Sequence, residues 1–123
     1  MADKSATPED YLAGHATAAA VYKKLCSILA DAGSYDIRVT KSQIAFRRKR
    51  NFAFLWLPGQ YLKNPDAEVV VSFVLDREVK SKRFKEVAHP APERWMHHLE
   101  VRKPGDLDQE VGEWLRAAAD SAQ

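Results

Sequence analysis

The 123-residue chain predicts an α+β fold: a two-layer domain with an antiparallel sheet of about five to six strands, flanked by an N-terminal and a C-terminal helix. Three observations predict it. Apolar residues recur at helical spacing near both ends, as in Ala18, Val21, Tyr22, Leu25, Ile28, Leu29 and Ala32 and again in Leu107, Val111, Trp114, Leu115 and Ala118. The middle of the chain changes to short alternating or β-branched runs. The connections between those runs are short, which suits antiparallel neighbours, because parallel pairs need long crossovers.

The elements follow in order. Residues 1–7 read as a disordered lead and 8–121 as a single α+β domain. Thr7 and Pro8 open a first helical turn, with Asp10 placed for a capping box. A long helix is expected over 16–32, closed by Gly33. Strands are expected over 35–40, 43–47 and 52–57, the latter two joined by the polar turn Arg48, Lys49, Arg50, Asn51. Residues 60–66 read as a loop and 67–75, with three consecutive valines, as a strand. Two more strands are expected over 83–88 and 95–102, separated by a break at Pro90, Ala91 and Pro92. Asp106 is the expected cap of the last helix, with Gln109 completing its box.

Composition excludes several classes. Hydrophobic residues make up 46% and charged residues 29%, which is globular composition. A single cysteine excludes a disulfide framework or a Cys-rich zinc module. No apolar run approaches a membrane span, and the polar N-terminus carries no signal pattern, so a cytoplasmic location without membrane association is expected. The five glycines form no phosphate-binding loop, and no metal or cofactor motif occurs, so none is expected. Cys26 reads as a packing thiol.

The central strands are apolar on both sides. Phe52, Phe54 and Trp56 alternate with Ala53, Leu55 and Leu57, and Val69, Val71, Phe73 and Leu75 oppose Val70 and Val74. A sheet with one solvated face alternates apolar with polar. The second face is therefore expected to be covered by the 60–66 loop or the short N-terminal helix, buried in a homodimer, or used as an apolar ligand cleft. Adjacent side chains on a strand point to opposite faces. His97, in phase with Trp95, Leu99 and Val101, reads as a hydrogen-bonded core residue, whereas His98 shares its face with Glu100 and Arg102. His98 is therefore the histidine expected to serve a site.

Charge is unevenly placed. Residues 38–85 hold twelve basic and four acidic side chains, although the whole chain carries only +2. Arg47, Arg48, Lys49 and Arg50 crowd the hairpin tip between Phe46 and Phe52, and Arg77, Lys80, Lys82, Arg83 and Lys85 form a second cluster. Such a region either keeps the surface soluble or meets an anion, with nearby aromatics available to stack on bases.

The segments Val39 to Arg47, Phe52-Ala53, Arg94-Trp95-Met96-His97-His98, and Asp106-Leu107-Asp108 ahead of Trp114-Leu115 resemble a bacterial family, the domain of unknown function 5655, common in actinobacteria. The resemblance runs from about Pro8 to Ala119. It implies a compact α+β domain and brings no established activity, cofactor or catalytic residue. Its only functional hint is that some larger relatives carry a nuclease-like domain.

The leading expectation is a non-enzymatic binding module. Its basic sheet region, with Lys41, Arg47, Arg48, Arg50, Arg83, Lys85 and His98 as binding residues, would contact an anionic partner, either nucleic acid or an acidic protein. One alternative is a small-ligand or enzymatic cleft on the sheet using Lys41 and His98, which a concave pocket gathering both with a carboxylate such as Glu100 would favour. The other is a structural homodimer.

Overall fold

The computed structural model describes residues 7–60, 63 and 67–122. The lead expected over residues 1–6 and most of the 60–66 loop lie outside these residues. Thr7, the last residue of the expected lead, is the cap of the first helix. Its hydroxyl accepts from the Asp10 N–H (3.1 Å) and its own N–H donates to the Asp10 carboxylate (3.3 Å). The resulting helix, α1 (Pro8–Tyr11), is a single turn. Gly14, with φ +81°, supplies the left-handed residue that turns the chain into α2 (Ala16–Ala30). α2 buries Ala18, Val21, Leu25 and Leu29, the stripe expected from their spacing, and it ends two residues earlier than expected, capped at Asp31.

Six strands form one antiparallel sheet: β1 (Asp36–Val39), β2 (Ile44–Arg47), β3 (Asn51–Trp56), β4 (Val69–Leu75), β5 (Phe84–Ala91) and β6 (Arg94–Val101). Their order is β1-β2-β3-β4-β6-β5, so the chain leaves β4 for the far edge and returns through β6 to fill the gap. Edge position explains why β5 runs on through Pro90, where a break was expected: a proline at an edge costs no ladder bond to a further strand.

α3 (Gln109–Ser121) is capped by Asp108, not Asp106. Asp106 instead ends a 3₁₀ turn over Pro104–Asp106, and its carboxylate accepts from the Arg102 N–H at 2.9 Å. The buried Leu107 lies between the two aspartates, so the helix starts one position beyond it, where Asp108 accepts from the Val111 N–H at 3.2 Å.

Helices α2 and α3 lie on the same face of the sheet. Register places Phe46, Ala53, Phe73 and His97 in one cross-strand row on that face and Ile44, Leu55, Val71 and Leu99 in the next. Val21, Leu25 and Leu29 from α2 and Val111, Leu115 and Ala118 from α3 close over them in one core cluster. Fully burying each large aliphatic contributes roughly 1.5–3 kcal/mol. Strict alternation fails at a bulge. Phe46 pairs with Ala53 but Arg47 pairs with Asn51, so Phe52 is an extra residue and enters the core instead of joining Phe54 and Trp56. Cys26 is half-buried beside Tyr22 and Tyr35, as a packing thiol would be, and burial followed by the thiol contact raises the pKa of both tyrosines.

Between β6 and α3 sits an aromatic group built around His97. Its ring stacks on Phe73 (centroids 5.6 Å apart, 12° between planes), Phe84 packs against both, and Trp114 packs against Phe73 and Phe84. The Val79 N–H donates to Nε2 (3.0 Å), which leaves the proton on Nδ1, 3.0 Å from the Trp95 carbonyl. His97 is the fully buried, satisfied histidine that its phase with Leu99 predicted.

Candidate binding face

The opposite face of the sheet carries no helix among the described residues. α1, one of the two covers expected for it, instead packs Tyr11 and Leu12 against the core cluster. Register defines this face, open in that no helix among the described residues lies on it, although Ala45, Val70 and Ser72 on it are buried. Arg38, Ala45, Phe54, Ser72, His98 and Glu86 form a single row across all six strands. Trp56, Val70 and Glu100 line up on one side of it, and Val74, Met96 and Ala88 on the other.

A hydrogen-bonded chain runs through the centre of this face. The Trp56 indole N–H donates to the Ser72 hydroxyl at 2.9 Å, and Ser72 Oγ lies 2.7 Å from His98 Nδ1. Indole nitrogen only donates, so the serine O–H can donate to the imidazole. That fixes neutral His98 with its proton on Nε2, as the ring's remaining donor. The rings of Trp56 and His98 meet edge to face, with centroids 6.1 Å apart. Burial lowers the His98 pKa, and the nearby Glu86 charge partly opposes that shift, so the neutral form is favoured.

Two depressions adjoin on this face. One, of about 310 Å³, is lined by Ser42, Gln43, Phe54, Trp56, Ser72, Met96 and His98. The other, of about 410 Å³, shares Phe54 and Met96 and continues to Arg47, Lys49, Arg50, Asn51 and Arg94. An apolar floor thus leads to a cationic end formed by the β2–β3 turn and the start of β6. Asn51 Oδ1, at that end, is a buried oxygen with no hydrogen-bond partner among the described residues.

The expected binding residues separate into groups. Arg47 lines the cationic end, and its guanidinium also donates to the Lys49 carbonyl at 3.1 Å. Arg48 turns away from that end and serves the helix ends. It donates to the carbonyls of Ala32, Ser34 (3.1 Å) and Ala119 (3.2 Å), its side chain only 10% exposed. Arg50 lines the cationic end while donating to the Ser121 carbonyl, and the Lys49 N–H donates to the Ala122 carbonyl. Much of the basic run therefore neutralises the negative ends of α2 and α3.

Arg83 binds Asp108 (3.0 Å), Glu110 (2.9 Å) and the Asp106 carbonyl, tying β5 to the start of α3. Lys85 pairs with Glu100 at 3.2 Å. Lys41 is exposed, its carbonyl accepting from the Gln60 amide, and it stands outside the lining of the depression that holds His98. The grouping of Lys41, His98 and Glu100 in one pocket, which would favour the cleft alternative, is not seen: Glu100 also stands outside that lining and faces Lys85 and Arg102.

Sequence reasoning missed Ser72, Trp56, Met96, Asn51 and Arg94 as site residues. A signal for one existed: Ser72 is the single polar residue in the strand Val-Val-Val-Ser-Phe-Val-Leu. The others needed register. A further depression of about 530 Å³ lies where the end of α2 meets Arg47 and Arg48. Its Arg48 guanidinium is already committed to carbonyls.

No group of three histidine, cysteine or acidic side chains among the described residues could hold a metal ion, and no helix is long and apolar enough to cross a membrane. Comparison with curated proteins and with solved structures gave no match. The hydrophobic stripes, the strands and the Trp-Met-His-His segment all fall within residues 8–122, which match a family model, and the chain belongs to that family: the domain of unknown function DUF5655.

Proposed function

We propose that the domain is a non-enzymatic binding module and that its open sheet face takes an anionic partner. The observation that carries this reading is the junction of the two depressions at Phe54 and Met96, which joins an apolar floor to Arg47, Lys49, Arg50 and Arg94. Cations at one end of an apolar face that carries no helix among the described residues supply long-range attraction, and the floor supplies contact area. Arg83 and Lys85, already paired with carboxylates, contribute little free charge to such a partner.

Retention on immobilised heparin tests the reading. Arg47→Ala with Arg94→Ala removes two charges at the cationic end, and Lys80→Ala with Lys82→Ala removes two exposed charges elsewhere. The first pair is expected to elute at clearly lower salt than the second. Identical elution of the two double variants would mean that net charge alone governs retention, and would overturn the reading.

A further inference from the structure

We infer that β1 is a self-complementary sheet edge: it pairs antiparallel with β1 of a second copy of the chain, in the register that sets Ile37 opposite its own equivalent. The pairing does not depend on the anionic partner. An edge strand offers a row of unpaired N–H and C=O groups, and proteins blunt such edges with prolines and bulges. β5, the other edge, carries Pro90 and shifts its register with β6 twice. β1 has neither device and runs Asp-Ile-Arg-Val in unbroken register with β2. Its Ile37, 37% exposed, is the single exposed large apolar side chain among the described residues. Tyr35 and Val39, two positions to either side, are half-buried.

The outward backbone groups are in phase with these apolar residues. At the turn between β1 and β2 the Thr40 N–H donates to the Gln43 carbonyl at 3.0 Å. Backbone groups alternate sides along an antiparallel strand. Those of Asp36 and Arg38 therefore face β2, and those of Tyr35, Ile37 and Val39 face out of the sheet, ready for a further strand.

The side chains select the register. With Ile37 on the two-fold axis, Tyr35 meets Val39 of the second copy and Asp36 meets its Arg38, each twice by symmetry. Aromatic–β-branched and opposite-charge pairs across strands both stabilise. Asp36 and Arg38 then form the pair without backbone bonds, in which side chains approach most closely. Neither has a hydrogen bond or ion pair of its side chain among the described residues. A slip of two residues sets Asp36 against Asp36, or Arg38 against Arg38, and like charges directly opposite destabilise. A slip of one sets the helix-covered face of one copy against the other face of its partner.

Sedimentation of the parent chain over a concentration series at low salt tests the pairing. A monomer–dimer equilibrium with a dissociation constant of roughly 10–500 µM is expected, because so short an edge buries less than a standard interface. Asp36→Lys makes the edge wholly cationic and Arg38→Asp makes it wholly anionic. Each alone is expected to weaken self-association about ten-fold or more. An equimolar mixture of the two variants is expected to dimerise again, since every cation then meets a carboxylate.

A parent chain that stays monomeric at millimolar concentration would overturn the inference. So would a dimer that neither charge reversal weakens, which would place the association on another surface. Failure of the mixture to dimerise, with urea melts showing both variants folded, would overturn it too. None of these outcomes bears on the anionic-partner reading, which heparin retention tests separately.

Discussion

Ser72 and His98 stand directly opposite each other on β4 and β6, with the serine hydroxyl 2.7 Å from the imidazole Nδ1 and the Trp56 indole donating to the same hydroxyl. Protonating His98 would put a second N–H against an oxygen that already accepts one, and the serine proton would lose its acceptor. The hydrogen bonds thus act in the same direction as burial, which lowers the pKa of this histidine. Burial lowers that of His97 as well, where the Val79 N–H already occupies Nε2.

Acid sensitivity follows from these two histidines. Both have folded-state pKa values below the ordinary 6.5, so the unfolded chain takes up protons first as pH falls. The stability they contribute is fully present above 6.5 and is lost as pH falls below it. Each contributes a slope of at most about 1.4 kcal/mol per pH unit. Urea midpoints are expected to fall as the pH is lowered from about 6.5 to 5. His98→Gln is expected to flatten that dependence relative to the parent, and an unchanged pH profile would contradict the assignment.

Arg48 is expected to matter for stability more than its place in a basic surface run suggests. It gathers carbonyls from the ends of α2 and α3, and Arg48→Ala leaves Ala32, Ser34 and Ala119 without that donor. A loss of about 1–3 kcal/mol is expected by urea denaturation. Gly33, next to this contact, has φ +118°, and a Cβ there would come 2.8 Å from the Arg48 guanidinium. Gly33→Ala is expected to cost about 1–2 kcal/mol through backbone strain. Arg47→Ala, on the open face, is the comparison expected to leave the melt nearly unchanged.

Core positions offer a direct check of which face the helices cover. Leu25 and Leu115 are fully buried between the helices and the sheet, and truncating either to alanine is expected to cost about 2–5 kcal/mol. Phe54→Ala, on the face that carries no helix among the described residues, is expected to cost less despite the larger side chain removed, because its ring is only half-buried. Equal losses in thermal or urea unfolding would contradict the assignment of faces.

At the start of α3, the cap and the ion pair are separable. Asp108 accepts from the Val111 N–H and also pairs with Arg83, whose hydrogen bond is the main cause holding its carboxyl below the usual range. Asp108→Ala is expected to cost about 1 kcal/mol, mostly from the lost cap. Asp108→Asn keeps a capping side chain and is expected to retain most of that stability, since exposed ion pairs contribute only about 0–1 kcal/mol. Asp106→Ala would lose the larger share only if Asp106 were the cap, so guanidinium melts of the three variants distinguish the two aspartates.

By itself the sequence determined the elements and their buried stripes. The spacing of Val21, Leu25 and Leu29, the valine run of β4 and the phase of His97 with Leu99 are local patterns, because side-chain direction repeats every 3.6 residues in a helix and every two in a strand. It also determined that the middle strands are apolar on both sides. Tertiary structure decided what those facts mean. The insertion of β6 between β4 and β5 puts His98 opposite Ser72, and no spacing along the chain encodes a partner 26 residues away. The bulge at Phe52 depends on the partner strand. The approach of the helix ends to the β2–β3 turn draws Arg48 and Arg50 onto carbonyls and leaves Arg47 and Lys49 lining the open face. Charge along a sequence counts cations, but only packing determines which of them already have a counterpart, because the carbonyls they meet lie up to 71 residues away in the chain.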